Sequence, residues 1–280
     1  MAAFQSARFT NADGLNIAYR VWGEGAHTLI CVHGLYRNGH DFDFLAAALA
    51  GRMRVVTVDM MGRGDSDFSA DVSRYNAEFY ARDVLALADL LALPQFDLLG
   101  TSMGGMVGML LGMTAPQRLR RLIMNDVGPE ISLKVLRELG QRSIDAPVDF
   151  ARFEDALAYY RLSLREWGGL SEEQIVHVAR HSVRHTVRQD GERWVFHYDP
   201  RLIDGFRWPD GDVDLWQGYR TIRCPVLVIH GMRSTVLPQA VADKLRREPN
   251  TTVLDVADAG HAPGLMSSDQ IEAVADFLAD

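Results

Sequence analysis

The stretch FDLLGTSMGGMVGMLLGM, residues 96–113, constrains the fold more than any other part of the chain. It reads as a short buried strand, a tight glycine turn, and a helix with almost no polar face. A strand buried on both sides belongs in a sheet covered by helices on both sides, and such sheets are mostly parallel. The same texture recurs in HTLICVHG, RVVTVDM, RLIMNDVG, CPVLVIHG and NTTVLDVADAG. LNIAYRVWG alternates, as a half-exposed strand does. Helical spacing fills the intervals: DFDFLAAALAG, NAEFYARDVLALADLLAL up to Pro94, Gln239 to Arg247, and DQIEAVADFLAD. The expected architecture is α/β, a mostly parallel sheet flanked by helices.

Between Glu130 and Leu215 this rhythm stops. Charged helical segments replace buried strands, and Trp167, Trp194, Trp208 and Trp216 fall there or at its edge. The expected division is a core domain, residues 1–129 and 216–280, interrupted by a helical cap at 130–215.

A length of 280 residues suits one such domain with an insertion. The net charge of −8 argues against nucleic acid as a partner, because that role needs a clustered basic face. Cys31 and Cys224 sit in apolar strand-like runs and read as reduced core cysteines. The N-terminal MAAFQSARFTNADG has no apolar signal core, and no window has the unbroken apolar length of a membrane helix. The expectation is a cytoplasmic enzyme without a membrane partner; a homodimer is left open.

The turn GTSMG matches G-x-S-x-G with a strand leading in and a helix leading out. Ser102 is the candidate nucleophile, on a turn too tight for side chains two positions either side. A serine hydroxyl needs a base. His261 in VADAGHAPGLM, after the last strand, is the candidate. An oxyanion hole needs two inward backbone amides. Met103 follows the nucleophile, and Leu35 follows His33-Gly34 in CVHGLYRNGHDF. His33 is expected to brace that loop. Tyr36, Arg37 and Trp216 are candidate substrate contacts, with Arg37 a partner for a substrate carboxylate.

VHG, DMMGRGDSD, GTSMGG and AGHAP together resemble the α/β-hydrolase fold family over nearly the whole chain. NDVGPEI and HYDPRL resemble its capped esterases and general hydrolases. The resemblance implies a mostly parallel eight-stranded sheet, a Ser–His–acid triad and no cofactor. In most of that family the acid follows the penultimate strand. Here that region reads Met232, Arg233, Ser234, Thr235, and Thr235 stands at the aligned position. Asp126, after the strand that follows the nucleophile strand, is the preferred acid, as certain haloalkane dehalogenases carry it. Two rivals stay open: a dyad with Thr235 as a weak orienter, or a substitution at 235.

His177, His181 and His185 recur every four residues in HVARHSVRH, which raises a metal reading. Arg180, Arg184 and Arg188 interleave with them and no carboxylate ligand is evident, so a packing face is expected and no metal. Arg63-Gly64-Asp65 is read as a turn near the active-site mouth. The expected activity is serine-dependent hydrolysis of small carboxylic esters or lactones. The alternatives are a carbon–carbon bond hydrolase or enol-lactonase of aromatic catabolism and, in another class, a non-catalytic ligand-binding protein.

Overall fold

A computed structural model describes residues 3–188, 191–204 and 210–279; Trp208 lies outside the described residues. The chain opens with β1 (Phe4–Thr10), β2 (Asn16–Trp22) and β3 (Thr28–Val32). Helix α1 (Asp43–Leu49) leads to β4 (Arg54–Val58), and α2 (Ala77–Leu90) leads to β5 (Phe96–Thr101). Then come α3 (Met103–Thr114) and β6 (Leu119–Asn125). The stretch expected to be the insertion, residues 130–215, holds β7 (Glu130–Ile131), α4 (Leu133–Ile144), α5 (Phe153–Ser163), α6 (Glu172–Ser182), β8 (Val183–Arg188), β9 (Gly191–Phe196) and β10 (Val213–Asp214). The core resumes with α7 (Trp216–Tyr219), β11 (Val226–Gly231), α8 (Gln239–Leu245), β12 (Thr251–Val256) and α9 (Ser268–Ala279).

The main sheet has eight strands in the order β1-β2-β4-β3-β5-β6-β11-β12. β1 and β2 run antiparallel to their neighbours; the other six are mutually parallel. Two apolar layers form because strand side chains alternate. Ile30, Val32 and Leu98 join residues of α2, α3 and α8 on one face. Leu29, Cys31 and Leu99 join residues of α1 and α9 on the other. Cys31 and Cys224 are buried free thiols. No helix among the described residues is long and apolar enough to cross a membrane.

The sequence pattern left two features unread. One is β1, an exposed edge strand whose FQSARFT pairs with β2 residue for residue. The other is the strand content of the insertion, which was expected to be helical. β8 and β9 form a hairpin, and β7 pairs with β10 across the ends of the insertion. Val183, Thr186 and Val187 explain the first, since β-branched side chains favour extended backbone. α6 therefore stops at Ser182 and His185 lies on β8, off the helix face assigned to it. The insertion has its own apolar cluster around Phe150, Tyr160, Leu164 and Val178, which Met266 of the core enters.

Asp59, directly after β4, holds the loops at the carboxyl edge of the sheet. It pairs with buried Arg20 through two contacts of 3.1 Å. It also accepts the amides of Gly39 (2.7 Å) and Asp65 (3.0 Å). Burial opposes its ionisation, but the Arg20 charge together with the hydrogen bonds from Arg20, Asp65 and Gly39 outweighs this and holds the Asp59 carboxyl below the ordinary carboxylate range. Its contribution to stability is thus present above the ordinary carboxylate pKa and fades only as pH falls through the depressed value. Asp59→Ala should leave the buried Arg20 charge to the half-exposed Asp65, 3.2 Å away, and lower the unfolding free energy by about 3–5 kcal/mol, measured by urea denaturation at pH 7; a change below about 1 kcal/mol would contradict this reading.

Candidate active site

The glycine turn between β5 and α3 is as tight as its sequence requires. A Cβ on Gly100 would collide with the backbone of Gly104, and one on Gly104 with the carbonyl of Val32. Ser102 is held at φ 52°, ψ −110°, a conformation side chains rarely adopt. Its amide donates to Asn125 O at 2.9 Å, which ties the turn to the end of β6. The hydroxyl is thereby presented, partly exposed, above the N-terminus of α3.

His261 meets Ser102 from the loop after β12. Its Nε2 lies 2.9 Å from Ser102 Oγ and its Nδ1 lies 2.7 Å from Asp126 Oδ2. A carboxylate only accepts hydrogen bonds, so Nδ1 donates to Asp126 and Nε2 is left to take the Ser102 proton. Asp126 is fully buried at φ 55°, a left-handed conformation that Asp tolerates better than most residues. Its Oδ1 accepts the amide of Gly231 at 2.9 Å, and Ser234 Oγ donates to its Oδ2 at 2.5 Å.

These contacts account for the absent acid after β11. β6 and β11 are neighbours, with Asn125 in register with Ile229. A carboxylate just past either strand can therefore reach one imidazole. The side chain that turns inward from the later loop is Ser234, and it meets Asp126. Thr235, expected at the position where most of the family carries its acid, is exposed and among the described residues makes no hydrogen bond to His261. The rival in which Thr235 orients the base is corrected accordingly.

The Gly34-Leu35 turn lies beside the nucleophile: a Cβ on Gly34 would sit 4.0 Å from Ser102 Cβ. Its carbonyl is fixed twice. His33 Nε2 accepts the Met60 amide at 3.0 Å, so its Nδ1 carries the proton and donates to Gly34 O at 2.7 Å. The Arg37 amide donates to the same oxygen. Because the peptide unit is planar, fixing Gly34 O fixes the Leu35 N–H on its opposite side. Burial, aided by the Arg63 charge, pushes His33 down to about 3, so the ring stays neutral and braces the loop as expected. The Met103 amide is at the first position of α3, where a helix leaves its amides without an internal acceptor. Both amides adjoin the Ser102 turn.

Arg63 joins these two donors, a role the sequence did not reveal. It is fully buried, and among the described residues no carboxylate lies within ion-pair distance. It donates to Leu35 O at 2.9 Å, Met61 O at 2.8 Å and Tyr80 Oη, and reaches Met103 Sδ at 3.4 Å.

The expected substrate contacts fare differently. Arg37 is bound twice to Asp41, at 2.5 and 2.9 Å, between the rings of Tyr160 and Trp167. Burial alone would lower its pKa; Asp41 overrides this and holds the guanidinium charged. Its carboxylate partner in this structure is thus Asp41, within the protein. Tyr36 packs on Tyr198, with ring centres 5.1 Å apart. Trp216 is buried against the core, and its Nε1 donates to Glu130. The next residues of α7 meet Met113, at the far end of α3, about 16 Å along the helix from Ser102. Its assignment to substrate is corrected.

The His261 loop is gripped from two sides. Asn125 Nδ2 donates to Pro263 O at 2.8 Å from the core. From the insertion, Glu166 O and Trp167 O accept the amides of Gly260 (2.7 Å) and Gly264 (3.0 Å).

A family model described as the alpha/beta hydrolase fold matches residues 27–265. The chain belongs to the α/β hydrolase fold family. It is 36% identical over 271 residues to a 3-hydroxybutyrate-oligomer hydrolase of Cupriavidus necator, covering 94% of this chain and 92% of the relative. It is 28% identical to a pimeloyl-[acyl-carrier protein] methyl ester esterase of Aeromonas hydrophila, over 94% of this chain and 100% of that one. An alpha/beta hydrolase from Novosphingobium aromaticivorans superimposes with a TM-score of 0.88 at 29% identity, covering 100% of this chain and 99% of that chain.

If Asn125 aims the imidazole, Asn125→Ala should reduce kcat on an activated ester by roughly 10²-fold with KM little changed. Wild-type kcat in a folded variant would remove Asn125 from the positioning network.

Proposed function

We propose that this protein is a serine esterase that cleaves short oligoesters of 3-hydroxy acids through an acyl-enzyme. The observation that carries the chemistry is the continuous relay from Ser102 through His261 to Asp126, with contacts of 2.9 and 2.7 Å. The oligomer hydrolase, similar over nearly its whole length, supports the substrate class. A hydroxyacyl oligomer is also a carboxylic ester, the class anticipated from the sequence.

In this reading Ser102 Oγ attacks the ester carbonyl as His261 Nε2 takes its proton. Negative charge develops on the carbonyl oxygen, and the amides of Leu35 and Met103 receive it. Each such donor is typically worth about 10²–10³ in rate. The buried positive charge of Arg63, bonded to the carbonyl of one donor residue and the sulfur of the other, adds a favourable field. His261 then protonates the departing alkoxide. It next activates water against the acyl-enzyme, and Ser102 is regenerated as the acid leaves. Asp126 keeps the imidazole in the required tautomer and stabilises its charged form. The carbon–carbon hydrolase or enol-lactonase alternative assigned Arg37 to a substrate carboxylate, and Arg37 is paired with Asp41, which favours the ester reading.

The purified protein should convert 3-hydroxybutyrate dimer and trimer to monomer with acid release in a pH-stat. Ser102→Ala should lose both turnover and labelling by a phosphonate probe. Asp126→Asn should reduce kcat by about 10⁴-fold, the cost seen when a protease triad loses its acid charge. Turnover of an activated ester without any oligomer cleavage would discard the substrate; undiminished turnover in folded Ser102→Ala would discard the serine mechanism.

A further inference from the structure

Away from the relay, three histidines and a buried aspartate converge between the core and the insertion. His40 lies in the short 3₁₀ turn Gly39–Phe42, Asp43 begins α1, and His177 and His181 lie one turn apart on α6. One ligand atom from each falls within 4.8 Å of every other. Asp43 Oδ2 is 2.7 Å from His40 Nδ1 and 3.1 Å from His177 Nε2. The rings of His40 and His181 stack with centres 3.6 Å apart. Asp43 is almost completely buried, and its Oδ1 has no hydrogen-bond partner.

We propose that His40, Asp43, His177 and His181 bind a divalent transition-metal ion, Zn²⁺ by donor type, which fastens α6 of the insertion to α1 of the core. Three imidazole nitrogens and one carboxylate oxygen form a donor set that tetrahedral zinc accepts. Donors around such an ion stand about 3.4 Å apart, so side-chain adjustments of about an ångström close the present arrangement. The two objections raised by the sequence are answered by position. The missing carboxylate is Asp43, brought in from α1. The interleaved arginines point elsewhere: Arg180 over Phe153, Arg184 over Phe68, and Arg188 to Asp149. Arg20, a further cation near His181, is paired with Asp59. His185 stands apart on β8, beside Glu192 at 3.4 Å. The backbone at His181 is already tied to the core, because Asn38 Nδ2 donates to its carbonyl at 2.8 Å. A bound ion would reinforce that link three residues beyond the Leu35 turn.

The test uses the whole protein, stripped with a chelator and titrated with Co²⁺ and then Zn²⁺. Expected are one ion per chain, the intense visible bands of tetrahedral Co²⁺, their loss on adding Zn²⁺, and a higher thermal midpoint with Zn²⁺. Asp43→Asn and His181→Gln should each weaken binding at least 10-fold, whereas His185→Gln should bind as wild type. Circular dichroism establishes that each variant is folded, and His40→Gln replaces Asp43→Asn if the latter is not. Folded wild-type protein without stoichiometric binding would overturn the proposal. So would binding that survives the cluster substitutions or is lost with His185→Gln.

Discussion

The hydrogen bond between Asp126 and His261 joins parts of the chain 135 residues apart, and the proposed chemistry depends on it. Asp126 hangs from the end of β6 in a left-handed conformation, buried and held by Gly231 and Ser234. His261 comes from a flexible class of element, a loop, and receives its orientation from outside itself. Without the carboxylate, the imidazole would have no fixed tautomer and Ser102 no committed base. The rest of the sheet serves to bring the ends of β5, β6 and β12 to one edge, where these groups can meet.

That edge also explains how an acid can change strands without moving in space. Adjacent parallel strands end at the same level, so residues past β6 and past β11 face a common volume. Ser234 occupies the inward position of the later loop and contributes a hydroxyl where a carboxylate would crowd Asp126. Thr235 looked decisive in the linear sequence because spacing, not side-chain direction, was visible there.

Much of the core was legible because its signals are local. Buried strands carry continuous apolar runs, and the glycines of GTSMG are required by backbone contacts within a few residues. Ser102, His261 and Asp126 each follow a strand, so the pattern that located the strands located them. What escaped depends on contacts between distant segments. Arg63 looked like part of a glycine turn, yet it spans Leu35 and Met103. Asn125 anchors Pro263, a contact 138 residues away along the chain. The hairpin of β8 and β9 was hidden by the helical period of HVARHSVRH, which breaks at Ser182 where β-branched residues begin. Trp216 shows the opposite error: a tryptophan near an insertion suggested a ligand, whereas it covers the core.

The central claim is that the imidazole of His261 gives its Nδ1 proton to Asp126. Proton NMR of histidine-¹⁵N-labelled protein reads that bond directly. A far-downfield, nitrogen-coupled Nδ1–H signal should be present in the wild type, vanish in Asp126→Asn and persist unchanged in Thr235→Val. A signal that survives Asp126→Asn, or disappears in Thr235→Val, would contradict the account.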